Sequence, residues 1–272
     1  MDKTIKLLAL CIVFEIISVH TYADTSKNKI QFGIKGGINT STTLVSLSEY
    51  HPESYAKYNI EYKYNAGFNV GMIVEFPMTK TLSIQPELVF SVKGMRDEIF
   101  TLLNSPPTSG INTWELHAIS KVSLYYIELP LYFKFSFDFN NSNKLIAGIG
   151  PYLAYGISGK MNSEFVISSS DKHWIGEKDV FNENDIKFNE STWLTSMNVA
   201  SWIREPYWKK TVKRFDGGFS SFIGYEIHKN WIITANYDLG LINFLNSAEA
   251  WDGKVDGSMY NRTFSITLGY KF

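Results

Sequence analysis

The chain has 272 residues, and 26 Lys and Arg against 27 Asp and Glu give it a formal net charge of −1. This charge argues against nucleic-acid binding, because no basic surplus is available to neutralise phosphates. An aromatic content of 15% argues against disorder, and a charged content of 19% lies below the roughly 25% that is usual for soluble domains. The composition therefore favours a β-rich protein that is embedded in a membrane.

The first 23 residues have the order of a secretory signal. Lys3 and Lys6 precede an apolar run over 7–19, and small residues follow it up to Ala23. We expect cleavage after Ala23, because the run is too short for a comfortable membrane anchor. Cys11 is the only cysteine and lies inside this run, so the mature chain is expected to have no thiol chemistry.

Five later segments alternate apolar and polar residues with a period of two, which indicates β-strands with two different faces. These segments are 68–76, 82–93, 125–137, 231–241 and 263–272. Three weaker segments, 31–41, 144–159 and 213–227, bring the number of predicted strands to eight.

The connections between these strands alternate in length. Those at 77–80, 138–143 and 228–230 are short, whereas four long ones are predicted at 42–64, 94–120, 160–212 and 243–261. This layout is typical of an outer-membrane barrel. The sequence therefore predicts an all-β fold over residues 24–272, an eight-stranded antiparallel transmembrane β-barrel with short periplasmic turns and four long extracellular loops. A soluble barrel of the lipocalin type would turn its apolar face inward, but that face is too bulky for eight strands to enclose.

Several segments in order resemble the PorT-family (porin-like) outer-membrane β-barrel proteins of Bacteroidetes-type bacteria. The resemblance covers most strands but not the long loops, and it implies an eight-stranded barrel in the bacterial outer membrane. It implies no single function, since one subgroup of that family assists protein secretion. The segments that carry it are Phe32-Gly33-Ile34-Lys35-Gly36-Gly37-Ile38-Asn39, Tyr126-Ile127-Glu128-Leu129-Pro130-Leu131, Gly148-Ile149-Gly150-Pro151-Tyr152-Leu153, Gly224-Tyr225-Glu226-Ile227 and the final strand from Asn261 to Phe272.

Ten charged residues fall on the inward phase of the predicted strands. Eight strands leave an interior that side chains just fill, and buried charges must be paired. The near balance of six acids and four bases favours an internal ion-pair network over a selective pore. The ten residues are Lys35, Glu75, Glu87, Lys93, Glu128, Lys134, Asp216, Glu226, Asp238 and Lys271.

The long segment 160–212 is rich in aromatic residues. It contains the four tryptophans Trp174, Trp193, Trp202 and Trp208, a content that argues against disorder. One interpretation is a folded lid on the barrel mouth, or strands that extend past the membrane. The other is a binding surface for a protein or a glycan, because Trp and Tyr anchor such contacts.

The favoured function is a structural or interaction barrel, and a small-solute channel is the alternative. No enzyme signature and no metal or cofactor site is found, although an outer-membrane hydrolase or acyltransferase remains a third hypothesis. The expected partners are outer-membrane lipid and the barrel-assembly machinery. The terminal Tyr270 and Phe272 resemble the insertion signal that this machinery reads.

Prolines mark one unusual place in the predicted strands, because proline removes a donor from the hydrogen-bond ladder. A turn centred near 140–141 would bring Pro130 and Pro151 next to each other, with Pro130 inward and Pro151 outward. We expect both positions without a donor to fall in one bulge near the middle of the membrane. Interior groups such as Tyr152 or Glu128 would then bind the carbonyls that are left free.

Overall fold

The computed structural model describes residues 29–47, 56–104, 113–140, 142–169, 179–186, 188–189, 191–193, 209–250, 253–255 and 257–272. The predicted signal over 1–23 and three of the four loop tryptophans, Trp174, Trp202 and Trp208, lie outside these residues. Trp193 lies within them, in a short strand.

The described chain is built from strands. In chain order they are β1 (Gln31–Leu47), β2 (Ala56–Pro77), β3 (Leu82–Asn104), β4 (Thr113–Asp138), β5 (Lys144–Ser169), β6 (Asp179–Ile186), β7 (Ser191–Trp193), β8 (Lys209–Val212), β9 (Phe215–Ile227), β10 (Trp231–Gly240), β11 (Leu245–Ala250), β12 (Gly253–Val255) and β13 (Gly257–Lys271). Among the residues that the structure describes, no helix is long and apolar enough to span a membrane.

Eight of these strands close into an antiparallel ring in the order β1-β2-β3-β4-β5-β9-β10-β13. The last strand returns to the first, with Gly33 opposite Lys271 and Ile38 opposite Ile266. The outer face of the ring is apolar: Ile38 is 71% exposed and Leu153 63%, whereas their sequence neighbours Asn39 and Tyr152 are buried and point inward. The predicted eight-stranded barrel is therefore confirmed, with its apolar face outward.

The strands are longer than the sequence predicts. β2 and β3 stay paired up to Ala56 opposite Leu103, and β4 and β5 stay paired up to Trp114 opposite Ser169. The predicted loops 42–64 and 94–120 are therefore too long, because most of each is strand that continues past the apolar outer surface, and the predicted loop 160–212 begins with strand up to Ser169. Strands that extend past the membrane, one part of the first interpretation of this loop, are present over 160–169.

A second, four-stranded sheet of order β12-β11-β8-β7 lies in the segments that follow β6 and β10. Two short pieces next to it turn toward the barrel mouth. The N–H of Asn189 donates to the carbonyl of Val212 at 2.8 Å, and the N–H of Lys213 donates to the carbonyl of Phe244 at 2.7 Å. These bonds hold Phe188 and Phe244 against the barrel.

The turns at the opposite end of the barrel are short, as predicted. Between β9 and β10, His228 and Lys229 both have positive φ (50° and 66°), and the N–H of Asn230 donates to the carbonyl of Ile227. Two successive residues with positive φ define the type I′ hairpin turn, whose twist matches that of the flanking strands. Here the turn is made without glycine.

The prolines interrupt the hydrogen-bond ladder without shifting it. Pro130 lies opposite Tyr152, so Pro130 and Pro151 are adjacent, with Pro130 buried inward and Pro151 exposed outward as expected. Pairing resumes at Phe133 opposite Ile149, three residues along each strand, so the register is unchanged. The predicted bulge at this place is wrong: the bulge of this strand pair lies near Tyr126. A proline removes a donor but needs no extra residue, so the strands keep their spacing through the gap.

Candidate functional site

The interior of the barrel is arranged in layers that β4 crosses from one end to the other. From its periplasmic turn upward, the inward side chains of β4 include Lys134, Tyr132, Glu128 and Tyr126, all at most 6% exposed. Lys134 belongs to a charged layer, Tyr132 to an apolar one, Glu128 to a second charged layer and Tyr126 to an apolar cap. Each layer is completed by other strands.

The lowest layer is a charge-balanced quartet of Glu75, Lys134, Glu226 and Lys271. Lys134 Nζ lies 2.8 Å from Glu75 Oε2 and 3.6 Å from Glu226 Oε2. Lys271 Nζ lies 3.1 Å from Glu75 Oε2 and 2.6 Å from Glu226 Oε2. Each ammonium therefore contacts both carboxylates, and two positive charges face two negative ones.

An apolar band lies above the quartet, formed by Ile73, Tyr132, Ile146, Phe222 and Ile232. The rings of Tyr132 and Phe222 meet edge to face with centroids 4.9 Å apart. Beside this band Lys35 forms an ion pair with Glu87, which also accepts a hydrogen bond from Gln85 at 2.7 Å. This pair is neutral as well.

The second charged layer is centred on Lys93, which is 1% exposed. Its Nζ lies 2.7 Å from Glu128 Oε1 and 3.1 Å from Asp238 Oδ2. The same ammonium lies 4.8 Å from the centroid of the Tyr152 ring, a cation–π distance. Asp238 also accepts a hydrogen bond from Ser220 at 2.5 Å. One lysine therefore serves two carboxylates.

Asp216 adds a third carboxylate to this layer, and it is 0% exposed. Its Oδ2 accepts hydrogen bonds from Asn261 at 2.8 Å and from the Tyr152 hydroxyl at 3.3 Å, and its Oδ1 accepts one from the N–H of Gly217 at 2.7 Å. All three donors are neutral. With Asp216 ionised, Lys93 faces three carboxylates, and the layer has two negative charges in excess.

A small chamber of about 20 Å³ adjoins this acid-rich layer. Its walls include Glu128 and Asp238 together with Asn39, Asn69 and Thr263. The Oδ1 atoms of Asn39 and Asn69 and the Oγ1 atom of Thr263 are buried and have no hydrogen-bond partner in the protein. A volume of about 10–15 Å³ is enough for one water molecule. The chamber therefore has room for one water molecule or one small ion, and its walls carry oxygen atoms that can bind it.

The extracellular end of the interior is closed by an apolar cap. The Phe188 ring lies 5.8 Å from the Tyr126 ring and occupies the space where a Cβ on Gly156 would stand. Phe188 and Phe244 are 3% and 1% exposed. The other buried members of the cap are Met95, Val122, Leu124, Tyr152, Ala154, Met161, Ile186, Leu245 and Met259.

Beyond the apolar outer surface of the barrel, the paired extensions of β2 and β3 carry a group of exposed ion pairs. Lys63 donates a hydrogen bond to Glu98, and this bond raises the pKa of Lys63 and lowers the pKa of Glu98. Arg96 lies 2.9 Å from the same Glu98. On the inner side of this wall, burial raises the pKa of Tyr62 to about 12.

The structure brings all ten charged residues of the inward phase into the three groups just described. Glu128 pairs with Lys93 on β3, the strand next to β4, whereas the partners of Lys134 lie on β2 and β9, because a lysine can reach across so narrow a barrel. The sequence did not single out the asparagines and Thr263 that complete the chamber, although they share the same inward phase. It also missed the apolar cap, whose phenylalanines come from irregular segments.

A closed ring of eight strands with an apolar outer face defines a transmembrane β-barrel. The chain belongs to the family described as "Outer membrane protein beta-barrel domain", which matches residues 22–246. It is therefore a protein of the outer membrane.

No curated protein matches the chain in sequence. Several solved structures resemble it, including the following three. The attachment invasion locus protein Ail of Yersinia pestis, in complex with the heparin analogue sucrose octasulfate, is 13% identical, with a TM-score of 0.34, and the match covers 90% of this chain and 99% of Ail. Neisserial surface protein A is 12% identical, with a TM-score of 0.30 and coverages of 89% and 97%. The outer membrane protease OmpT of Escherichia coli is 12% identical, with a TM-score of 0.33 and coverages of 92% and 98%. These similarities are too distant to indicate an activity.

Proposed function

We propose that the protein is a closed, non-conducting barrel that serves as a structural or interaction protein of the outer membrane. The layered interior supports this proposal: two charged layers, an apolar band and an apolar cap follow one another along β4. Two cavities between the layers in the described interior measure about 20 and 10 Å³. Each holds about one water molecule at most, which favours a plug over a water-filled pathway.

Conductance in a planar bilayer tests this proposal. We expect the purified barrel to show no steady conductance, and the Glu128→Leu variant to be less stable in detergent but equally closed. In this variant Lys93 has one carboxylate partner fewer, while the apolar cap above this layer and the apolar band below it remain. A steady conductance of the wild-type protein would favour the alternative, a small-solute channel. A large conductance of the variant with unchanged stability would show that the charged layer lines a pathway.

The proposed interaction surface is formed by the parts of β2 to β5 that extend beyond the apolar outer surface of the barrel. The strands β2 to β5 continue well past the bilayer, and the segment that carries Trp174, Trp193, Trp202 and Trp208 follows β5. This arrangement supports a protein or glycan partner at the extracellular end. Intact cells offer the test: cross-linking from a residue on the extensions, such as Lys121, should capture a partner that cross-linking from Lys229 in the opposite turn does not.

We further propose that the chain is a PorT-type member of its family, with a signal that is cleaved after Ala23 and with no enzymatic role. N-terminal sequencing of the protein isolated from outer membranes would test the cleavage site. Screens on lipid and peptide substrates would test the enzymatic role, and reproducible turnover would contradict the proposal.

The barrel-assembly machinery is proposed as a partner through the C-terminal strand. Phe272 is 75% exposed, and its ring lies 5.7 Å from that of Tyr270. Its N–H donates to the carbonyl of Phe32 at 2.8 Å, at the seam where the ring closes. Deletion of Phe272 should reduce assembly in cells, while refolding of the purified variant into detergent should be affected much less. Normal assembly of the variant would contradict this role.

A further inference from the structure

We propose that the chamber beside Lys93 binds one divalent cation of the size of calcium. The chamber is the cavity of about 20 Å³ whose walls include Asn39, Asn69, Glu128, Asp238 and Thr263. This site is separate from the proposed interaction surface, because it lies inside the barrel beneath the apolar cap.

The charge of this layer gives the first argument. Glu128 and Asp238 share Lys93, and Asp216 receives only neutral donors, so three carboxylates face one ammonium. Lys35 also lines the chamber, but its charge is balanced by its ion pair with Glu87, so this pair contributes no net compensation. Buried charges are very costly unless they are compensated. A divalent cation compensates both excess negative charges in one step.

The unpartnered oxygen atoms give the second argument. Asn69 and Thr263 are 7% and 2% exposed, and neither Asn69 Oδ1 nor Thr263 Oγ1 has a partner in the protein. Asn39 Oδ1 is in the same state, and Asn39 is 5% exposed. All three residues line the chamber. A buried polar atom without a partner costs free energy, and the residues that carry these atoms line the same small space as Glu128 and Asp238.

The chemistry of the ligands selects the cation. Carboxylate, amide and hydroxyl oxygens are the ligands of hard cations, and calcium takes six to eight of them in flexible geometry. Magnesium usually keeps several water molecules, for which a cavity of this size has no room. No group of three or more His, Cys, Asp or Glu suited to a metal occurs in the described part of the chain. The proposed site accordingly uses two carboxylates, and neutral oxygens supply the remaining ligands.

Metal content and thermal unfolding of the full-length barrel in detergent test this proposal. After refolding in calcium and dialysis against metal-free buffer, we expect one calcium per chain and a melting temperature several degrees above that of protein refolded with EDTA. Magnesium and sodium should give a much smaller shift. Absence of retained calcium, or equal melting temperatures with calcium and EDTA, would overturn the proposal.

Two matched variants locate the cation. Asp238→Asn replaces a carboxylate ligand by a weaker amide ligand and removes one of the excess charges, so we expect it to abolish most of the calcium-dependent shift. Glu226→Gln makes the same chemical change in the balanced quartet, and it should keep the shift even if its overall stability falls. Equal calcium binding by both variants would place the cation elsewhere. If wild-type protein without metal gains the same stability on mild acidification, a proton rather than a cation neutralises the layer, and the proposal fails.

Discussion

The two charged layers inside the barrel are both built from lysines and carboxylates but differ in their charge balance. In the lower quartet, Lys134 and Lys271 each contact both Glu75 and Glu226, and the charges cancel. In the upper layer Lys93 alone faces Glu128, Asp238 and Asp216. The charges of the lower layer therefore cancel, whereas the upper layer has two more carboxylates than ammonium groups.

This difference separates two uses of buried charge. A cancelled network fills and closes a narrow barrel, because every ammonium and carboxylate has its partners in the protein. An unbalanced network next to a cavity with unpartnered oxygen atoms is suited to bind a cation. The barrel wall differs between the two layers as well. Beside the upper layer, the pairing of β4 with β5 is interrupted between Pro130 and Phe133, and we call this interruption the proline gap.

The largest expected effect comes from removing the one cation of the upper layer. Lys93→Met leaves three buried carboxylates without an ammonium, and we expect a loss of about 3–5 kcal/mol in the free energy of unfolding. Denaturant unfolding in detergent micelles would measure this loss. The control is Lys63→Met on the exposed extension, where solvent screens the ion pair and the loss should be much smaller. Comparable losses in both variants would show that the upper layer is not specially dependent on Lys93.

A double-mutant cycle in the quartet should show a smaller loss that can be reversed. Lys134→Met alone should cost about 3 kcal/mol, because Lys271 then faces two carboxylates. Combining it with Glu75→Leu restores neutrality and should recover most of this loss, since apolar residues often replace buried ion pairs without penalty. Unfolding free energies of the four proteins give the coupling. An additive result would contradict the balanced network.

The alternation of residues in β4 shows what the sequence could predict. Within the membrane band the outer face must be apolar, so the inward positions of Glu128 and Lys134 follow from parity alone. Parity does not give their partners, because these depend on how the strands are staggered around the ring. Lys134 therefore meets Glu75 across the lumen, and no sequence rule indicated it.

Above the membrane band the same reasoning fails for a physical reason. The continuation of β3 presents Arg96, Asp97 and Glu98 in succession, because water surrounds the strands there and the outer face need not be apolar. Without alternation, this strand was predicted as a loop. The cap was missed for a related reason: Phe188 and Phe244 are placed by irregular segments, which carry no periodic pattern.

Two glycines offer a test of how tightly the wall at the proline gap is packed. A Cβ on Gly150 would collide with the backbone carbonyl of Leu131, whereas a Cβ on Gly36 would find its nearest atom, the carbonyl oxygen of Asn69, at 3.7 Å. Gly150→Ala should therefore cost about 1–3 kcal/mol, as overpacking does, and Gly36→Ala should be nearly neutral. Thermal unfolding of the two variants is the measurement. Equal stabilities would mean that the strands separate easily at the gap.

The smallest effect is expected below the quartet, in the type I′ turn between β9 and β10. Lys229 has a φ of 66°, a left-handed conformation that costs a residue with a side chain about 1–2 kcal/mol. Glycine adopts it freely but loses more entropy on folding, so Lys229→Gly should stabilise the barrel by about 0.5–1 kcal/mol. The control is Lys80→Gly in the turn between β2 and β3, where Lys80 does not have a positive φ, so that glycine only adds freedom to the unfolded chain. We expect the first change to raise the unfolding midpoint and the second to lower it. A stabilisation by both, or by neither, would show that the turn below the quartet carries no strain.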